Sequence, residues 1–134
     1  QQEKPEDYVI STGIQYSIRD FLKWTADALG IKIKFSGVGL NEKVHVIARD
    51  YIKAPGIKIG QEIVRIDRKY FRPAEVDSLL GDSSKAAKKL GWKPKTTAKE
   101  MCIEMVNEDY LAAQRLSMLK SHNMSIPMSQ QSKD

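Results

Sequence analysis

Only one cysteine, Cys102, occurs in the chain, so no disulfide can form within it and the structural zinc clusters that need several thiolates are excluded. The two histidines, His45 and His122, have no partner at metal-ligand spacing and read as structural or solvated side chains. No apolar run approaches the roughly 18 residues that a membrane span requires. The start, Gln1-Gln2-Glu3-Lys4-Pro5-Glu6-Asp7, has neither the basic beginning nor the apolar centre of a secretory signal. A cytoplasmic chain is the expectation. No Gly-x-Gly-x-x-Gly or P-loop occurs, so a recognisable cradle for dinucleotide or ATP phosphates is missing. No tyrosine is followed four residues later by lysine, which removes the commonest Tyr/Lys proton-transfer pair, and there is neither an initiator methionine nor an internal repeat.

What is present is the composition of one globular unit: 134 residues, 41% hydrophobic and 29% charged. The net charge of +5 is local. Residues 83–99 hold six lysines (Lys85, Lys88, Lys89, Lys93, Lys95 and Lys99) and no acid, while the rest carries 16 basic against 17 acidic residues. A short helix after Ser83 or Ser84, stopped by Gly91, and a second one from Thr97 imitate a helix-turn-helix with lysines for phosphates. The connection through Pro94 is longer and stiffer than that motif uses, so a solvated face over Ala87, Leu90 and Trp92 is the simpler expectation.

Periodicity gives an α/β order. Tyr8 to Thr12 is a β-branched and aromatic run stopped by Gly13 and is expected as a short buried strand. Ser17 and Asp20 have capping-box spacing, and Ile18, Phe21, Leu22, Thr25 and Leu29 follow on one helical face up to Gly30. Ile31, Ile33 and Phe35 alternate with polar residues as in a half-buried strand, and Val44 to Ala48 and Ile63 to Ile66 are strand candidates that pair across a long loop. Thr97 and Glu100 form a second capping box, opening a long helix with Ala98, Met101, Cys102, Met105, Val106, Ala113, Leu116 and Leu119 broadly on one side. From about Ser121 the chain becomes a polar tail.

Tyr70-Phe71-Arg72-Pro73-Ala74-Glu75-Val76-Asp77 is the most informative polar group. An arginine offers a planar fork for two phosphate oxygens, and a carboxylate three residues on can accept both hydroxyls of a ribose diol. A local ion pair between Arg72 and Glu75 explains the same spacing, and spacing alone favours it.

Asp7-Tyr8-Val9-Ile10-Ser11-Thr12-Gly13, Tyr16-Ser17-Ile18-Arg19-Asp20-Phe21, Tyr70-Phe71-Arg72-Pro73-Ala74-Glu75-Val76, Leu80-Gly81-Asp82 and Lys89-Leu90-Gly91-Trp92-Lys93-Pro94 together resemble the bacterial GDP-mannose 4,6-dehydratase family of extended short-chain dehydrogenases. The resemblance runs from Gln1 to about His122 and covers only the C-terminal third or so of such enzymes. It implies conversion of GDP-mannose to GDP-4-keto-6-deoxymannose: NADP oxidises C4, water leaves across C5 and C6, and the hydride returns to C6. The NADP loop and the acid/base groups belong to the absent part, so no catalytic or cofactor-binding residue carries over. Two positions do carry over, Arg72 to the GDP pyrophosphate and Glu75 to the ribose hydroxyls, which reverses the preference drawn from spacing. The fold implied is a C-terminal substrate-binding portion: residues 1–30 as the last strand-helix unit of a Rossmann-type nucleotide-binding domain otherwise missing, 31–120 as a small α/β substrate-binding domain, and 121–134 as a tail. GDP-mannose, the missing N-terminal domain and further copies in a homo-oligomer are the implied partners. A related nucleotide-sugar epimerase or reductase and a basic nucleic-acid-binding module are the alternatives.

Overall fold

The computed structural model describes residues 2–72, 76 and 78–122. Helix α1, Ile18–Ala28, begins where its cap dictates: the Ser17 side chain accepts the Asp20 N–H, and the Asp20 carboxylate accepts the Ser17 N–H in return. Gly30 follows the helix at φ 70°, and any Cβ there would also stand 2.9 Å from the Asp50 Cβ. Strand β1, Ile31–Ser36, turns Ile31, Ile33 and Phe35 inward and leaves Lys32, Lys34 and Ser36 exposed. Strands β2, Lys43–Arg49, and β3, Glu62–Arg65, complete a three-stranded antiparallel sheet in the order β1-β2-β3.

The register skips twice. Ile33 faces Val46 while Lys32 faces Ala48, so Ile47 is an extra residue on β2 and half of it is exposed. Ile63 is the extra residue on β3, between the Val44/Val64 and His45/Glu62 pairs. On the inner face Ile31, Val44 and Val46 are buried, and α1 packs against both β1 and helix α3, Ala98–Ser121. Thr97 and Glu100 close the second capping box at the start of α3. The intervening helix α2, Ser84–Leu90, ends on Gly91 at φ 66°, the left-handed stop expected there. The described residues are thus a mixed α/β arrangement, and no helix among them is long and apolar enough to cross a membrane.

Three expectations need correction. Tyr8–Thr12 lies outside any ladder, with Val9 and Ile10 more than half exposed, because no second strand lies beside it among the described residues. The packed stripe of α3 is Ala98, Cys102, Val106 and Tyr110, four residues apart, whereas Met101, Met105 and Leu116 are exposed. Thr25 of α1 lies against Cys102, whereas further along α3 Leu111, Leu116 and Met118 are exposed and Leu119 is half-buried. Under the lysine-rich segment the buried residue is Ala86, one position from the expected Ala87, and Leu90 is 40% exposed.

Candidate functional site

The segment that carries Arg72 leaves the sheet at the end of β3. Asp67 accepts the Lys69 N–H at 2.9 Å, and its carbonyl accepts the Tyr70 N–H, which folds Arg68–Tyr70 into one 3-10 turn. Phe71 closes that turn and Arg72 follows, exposed. Arg65, Arg68, Lys69 and Arg72 make this stretch basic, with the Lys69 ammonium 5.4 Å from the Tyr70 ring centroid. A positive, solvent-facing turn is chemically suited to an anion. Glu75 lies outside the described residues, as do Pro73, Ala74 and Asp77, and so does the tail from residue 123 onward.

Downstream of Arg72 the chain is fastened to the N-terminal segment. Ser78 Oγ donates to Gln15 Oε1 at 2.8 Å, and Ser11 Oγ donates to the Gly81 carbonyl at 2.8 Å. Beyond them Lys85 donates to the Asp7 carbonyl at 2.9 Å and stands 4.9 Å from the Tyr8 ring centroid, and Lys89 meets Glu6 at 2.7 Å. Residues 6–15 and 78–89 therefore run side by side in opposite directions. Lys89 and Lys85 together hold the Glu6 carboxyl below the usual carboxylate range, and Glu6 raises the Lys89 ammonium in return. Sequence spacing missed this seam, since neither strand propensity nor a turn signal marks a contact between residues 70 apart.

Elsewhere several polar side chains are committed to structure. An apolar groove of about 350 Å³ lies between the start of α1 and the sheet, lined by Leu22, Phe35, Val44, Val64 and Ile66, with Ile18 on its open side. Its rim is used internally. Arg19 grips Glu42 through two bonds of 2.7 and 2.8 Å, which lowers the Glu42 carboxyl, and Ser17 caps α1. His45 Nδ1 lies 3.3 Å from Ser36 Oγ, and His122 ends α3, its Nδ1 2.9 Å from the Met118 carbonyl oxygen. Among the described residues no group of three potential ligands could hold a metal ion. Cys102 is fully buried, and two of the six lysines of residues 83–99, Lys85 and Lys89, face Glu6. Residues 91–97 separate α2 from α3, which is not the tight turn of a helix-turn-helix.

A sequence model described as GDP-mannose 4,6 dehydratase matches residues 1–105, a stretch that includes the Arg72 segment and both sides of the seam. The chain is 54% identical over 129 residues to a Vibrio cholerae protein named GDP-mannose 4,6-dehydratase, covering 96% of this chain and 35% of that protein. It is 46% identical over 132 residues to a Yersinia enterocolitica protein of the same name, covering 98% of this chain and 36% of the relative. A more distant relative, GDP-mannose 4,6 dehydratase 1 of Arabidopsis thaliana, is 40% identical over 119 residues, 89% of this chain and 26% of its own length. The chain thus spans about a third of the length of the bacterial relatives it matches.

Proposed function

The chain belongs to the GDP-mannose 4,6-dehydratase family, and we propose that it is the C-terminal, GDP-sugar-binding part of such an enzyme. The whole protein, on this reading, is an NADP-dependent lyase of the short-chain dehydrogenase kind that works in the cytoplasm as a homo-oligomer and converts GDP-mannose to GDP-4-keto-6-deoxymannose. The observation that carries the reading is the family match through residues 1–105, together with names shared by relatives up to 54% identical. Tyr8–Thr12 is assigned to the sheet of a nucleotide-binding domain, with α1 held against β1 and α3.

Arg72 is assigned to the pyrophosphate and Glu75 to the ribose hydroxyls. The guanidinium fork takes two phosphate oxygens at once, and its charge never depends on pH in the working range. Its place just after the Arg68–Tyr70 turn, in a stretch rich in basic side chains, supports that role. On this assignment both contact the nucleotide and not the sugar carbons that react, so both are binding residues. Held by its diphosphate, the sugar is presented to a catalytic half supplied by the remaining chain.

The described residues do not fit a dinucleotide cofactor. No strand here runs through a glycine loop into an α-helix; β1 leads to a single 3-10 turn, and β3 to another. At Gly37, where a glycine-rich turn could admit a phosphate, the Asn41 carbonyl already occupies the space a Cβ would take. NADP is therefore assigned to the rest of the protein, and no step is routed through it here.

Calorimetric titration of GDP into the full-length protein tests the assignment. Arg72→Ala should weaken binding by about 1.5–3 kcal/mol, the worth of a charge-assisted contact. Glu75→Ala should lose less affinity but discriminate poorly between GDP and its 2′-deoxy analogue. Parent-like binding in both variants would make the two side chains a surface ion pair only.

A further inference from the structure

The two sides of the seam touch, yet their apolar side chains are uncovered. A Cβ built on Gly81 would stand 2.7 Å from Ser11 Cβ and 3.3 Å from Val9 Cγ1, so nothing fits between the segments there. Ser11 Oγ bonds the Gly81 carbonyl and Ser78 Oγ bonds Gln15 Oε1, so Leu79 and Leu80 lie between two attachments. Even so, Leu79 is 76% and Leu80 62% exposed, and Val9, Ile10 and Ile14 opposite are each more than half exposed. Single exposed apolar residues are ordinary on a protein surface, whereas these five on two touching segments mark a face that something covers. Neighbouring side chains point about 100° apart along a helix and about 180° apart along a strand. Both members of Val9/Ile10 and of Leu79/Leu80 are exposed, so the seam lacks cover on more than one side.

We infer that residues 9–14 and 79–80 form one docking face for the remainder of the same polypeptide, which encloses Leu79 and Leu80 in the whole enzyme. The inference rests on the reading of this chain as the C-terminal part of a dehydratase, and it adds to the assignment of Tyr8–Thr12 a segment 70 residues further along. Two observations choose the occupant. About two thirds of each bacterial relative's length lies outside the match, which is ample chain to surround a seam open on more than one side. On that reading the remainder precedes Gln1, and Glu6, five residues later, is held to α2 by Lys85 and Lys89. Five residues reach about 18 Å at full extension, so the preceding chain arrives beside this face. The Glu6 ion pairs and the Ser11 bond set both segments side by side, so they dock as a unit.

Photochemical carbene labelling of the full-length protein, read by mass spectrometry at single residues, tests this without any substitution. Native labelling of Leu79 and Leu80 should fall to about a fifth of that in denaturant, whereas Val38, 87% exposed at the turn after β1, labels heavily in both. Leucines labelled as heavily as Val38 would overturn the inference. Leu80→Asp then identifies the occupant. With the remainder of the polypeptide on this face, the variant should keep the parent's mass by light scattering and be cut by trypsin at Lys4 about tenfold faster, because the docked state opens more often. Amide exchange around Cys102 should stay slow, which a general loss of stability would not allow. A smaller assembly with Lys4 as resistant as in the parent would show a second copy on this face and overturn the inference, and so would parent behaviour in both measurements. If Leu80→Asp does not fold, Leu80→Ala is read the same way, with about a threefold faster cut. Turnover of GDP-mannose by a protein whose leucines label fully would leave the dehydratase reading standing and remove this inference alone. A protein that neither binds GDP nor converts GDP-mannose would remove both.

Discussion

Thr25 and Cys102 meet where α1 packs on α3, with Oγ1 and Sγ 3.4 Å apart and the sulfur 3.9 Å from the Phe21 carbonyl. The thiol is fully buried and is the single cysteine of the chain. A buried thiol of this kind fills volume and makes weak polar contacts, and reagents reach it only when the helices separate. Modification by a water-soluble disulfide reagent should therefore be slow in the native chain and complete in denaturant. Cys102→Leu should overfill the contact and cost about 1–3 kcal/mol in a urea titration; a parent-like midpoint would mean that the two helices are not closely packed there.

The two capping boxes make a prediction about acid. Ser17 and Thr97 each hold an N–H at the third helical position, and Ser17→Ala or Thr97→Ala should each cost about 1 kcal/mol of stability by denaturant titration. Hydrogen bonds from Ser17 hold the Asp20 carboxyl below its usual range, and those from Thr97 do the same for Glu100. A folded pKa lower than the unfolded one means stability that is present above the ordinary carboxylate range and is lost as pH falls through the folded values. Glu42 beside Arg19 and Glu6 beside Lys89 act in the same sense. Far-UV dichroism should stay flat from neutral pH to about 4.5 and lose helix below it, with the loss beginning at higher pH in Thr97→Ala. Helicity that rises on acidification would contradict the assignment of these carboxylates.

Those boxes also show why part of the fold was legible. A cap is a local bargain struck over three residues, so Ser17/Asp20 and Thr97/Glu100 could be read directly, as could the alternation of Ile31, Ile33 and Phe35 and the stops at Gly30 and Gly91. Pairing of β2 with β3 followed from two short apolar runs with no other partner to hand. What failed was non-local. Met101 and Met105 fit a helical stripe, but α1 is shorter than α3 and crosses it along Cys102 and Val106 instead. Tyr8–Thr12 has strand propensity but no neighbour to complete a ladder. At the candidate site, Arg72 was identified through a motif shared with a family, while Gly81 carried no local signal because the atoms that exclude its Cβ belong to Ser11 and Val9.

The 134-residue chain by itself should show no dehydratase activity. It spans about a third of the length of its bacterial relatives, and its described residues offer no dinucleotide cradle. Binding groups without a hydride acceptor cannot carry the reaction. Incubation with GDP-mannose and NADP should leave the sugar nucleotide unchanged by chromatography, whereas turnover by a preparation free of longer enzyme would place the catalytic groups inside this chain.

Amide exchange decides where Tyr8–Thr12 belongs. In this structure the segment has no ladder, Val9 and Ile10 are more than half exposed, and its fastening to the rest comes from side chains: Ser11 to Gly81, and Lys85 to the Asp7 carbonyl. Side-chain clips hold a segment in place without protecting its N–H groups, which exchange wherever water reaches them. The amides of Val9, Ile10 and Ser11 should thus exchange fast in the 134-residue chain, while those around Cys102, under the α1 contact, exchange slowly. In the full-length protein the same three amides should become strongly protected, because a run of Tyr, Val and Ile with two exposed apolar side chains gains ladder partners and cover at once from a neighbouring sheet. Equal protection in the two forms would show that residues 8–12 owe nothing to the rest of the enzyme, and the assignment of this segment to the nucleotide-binding domain would fall.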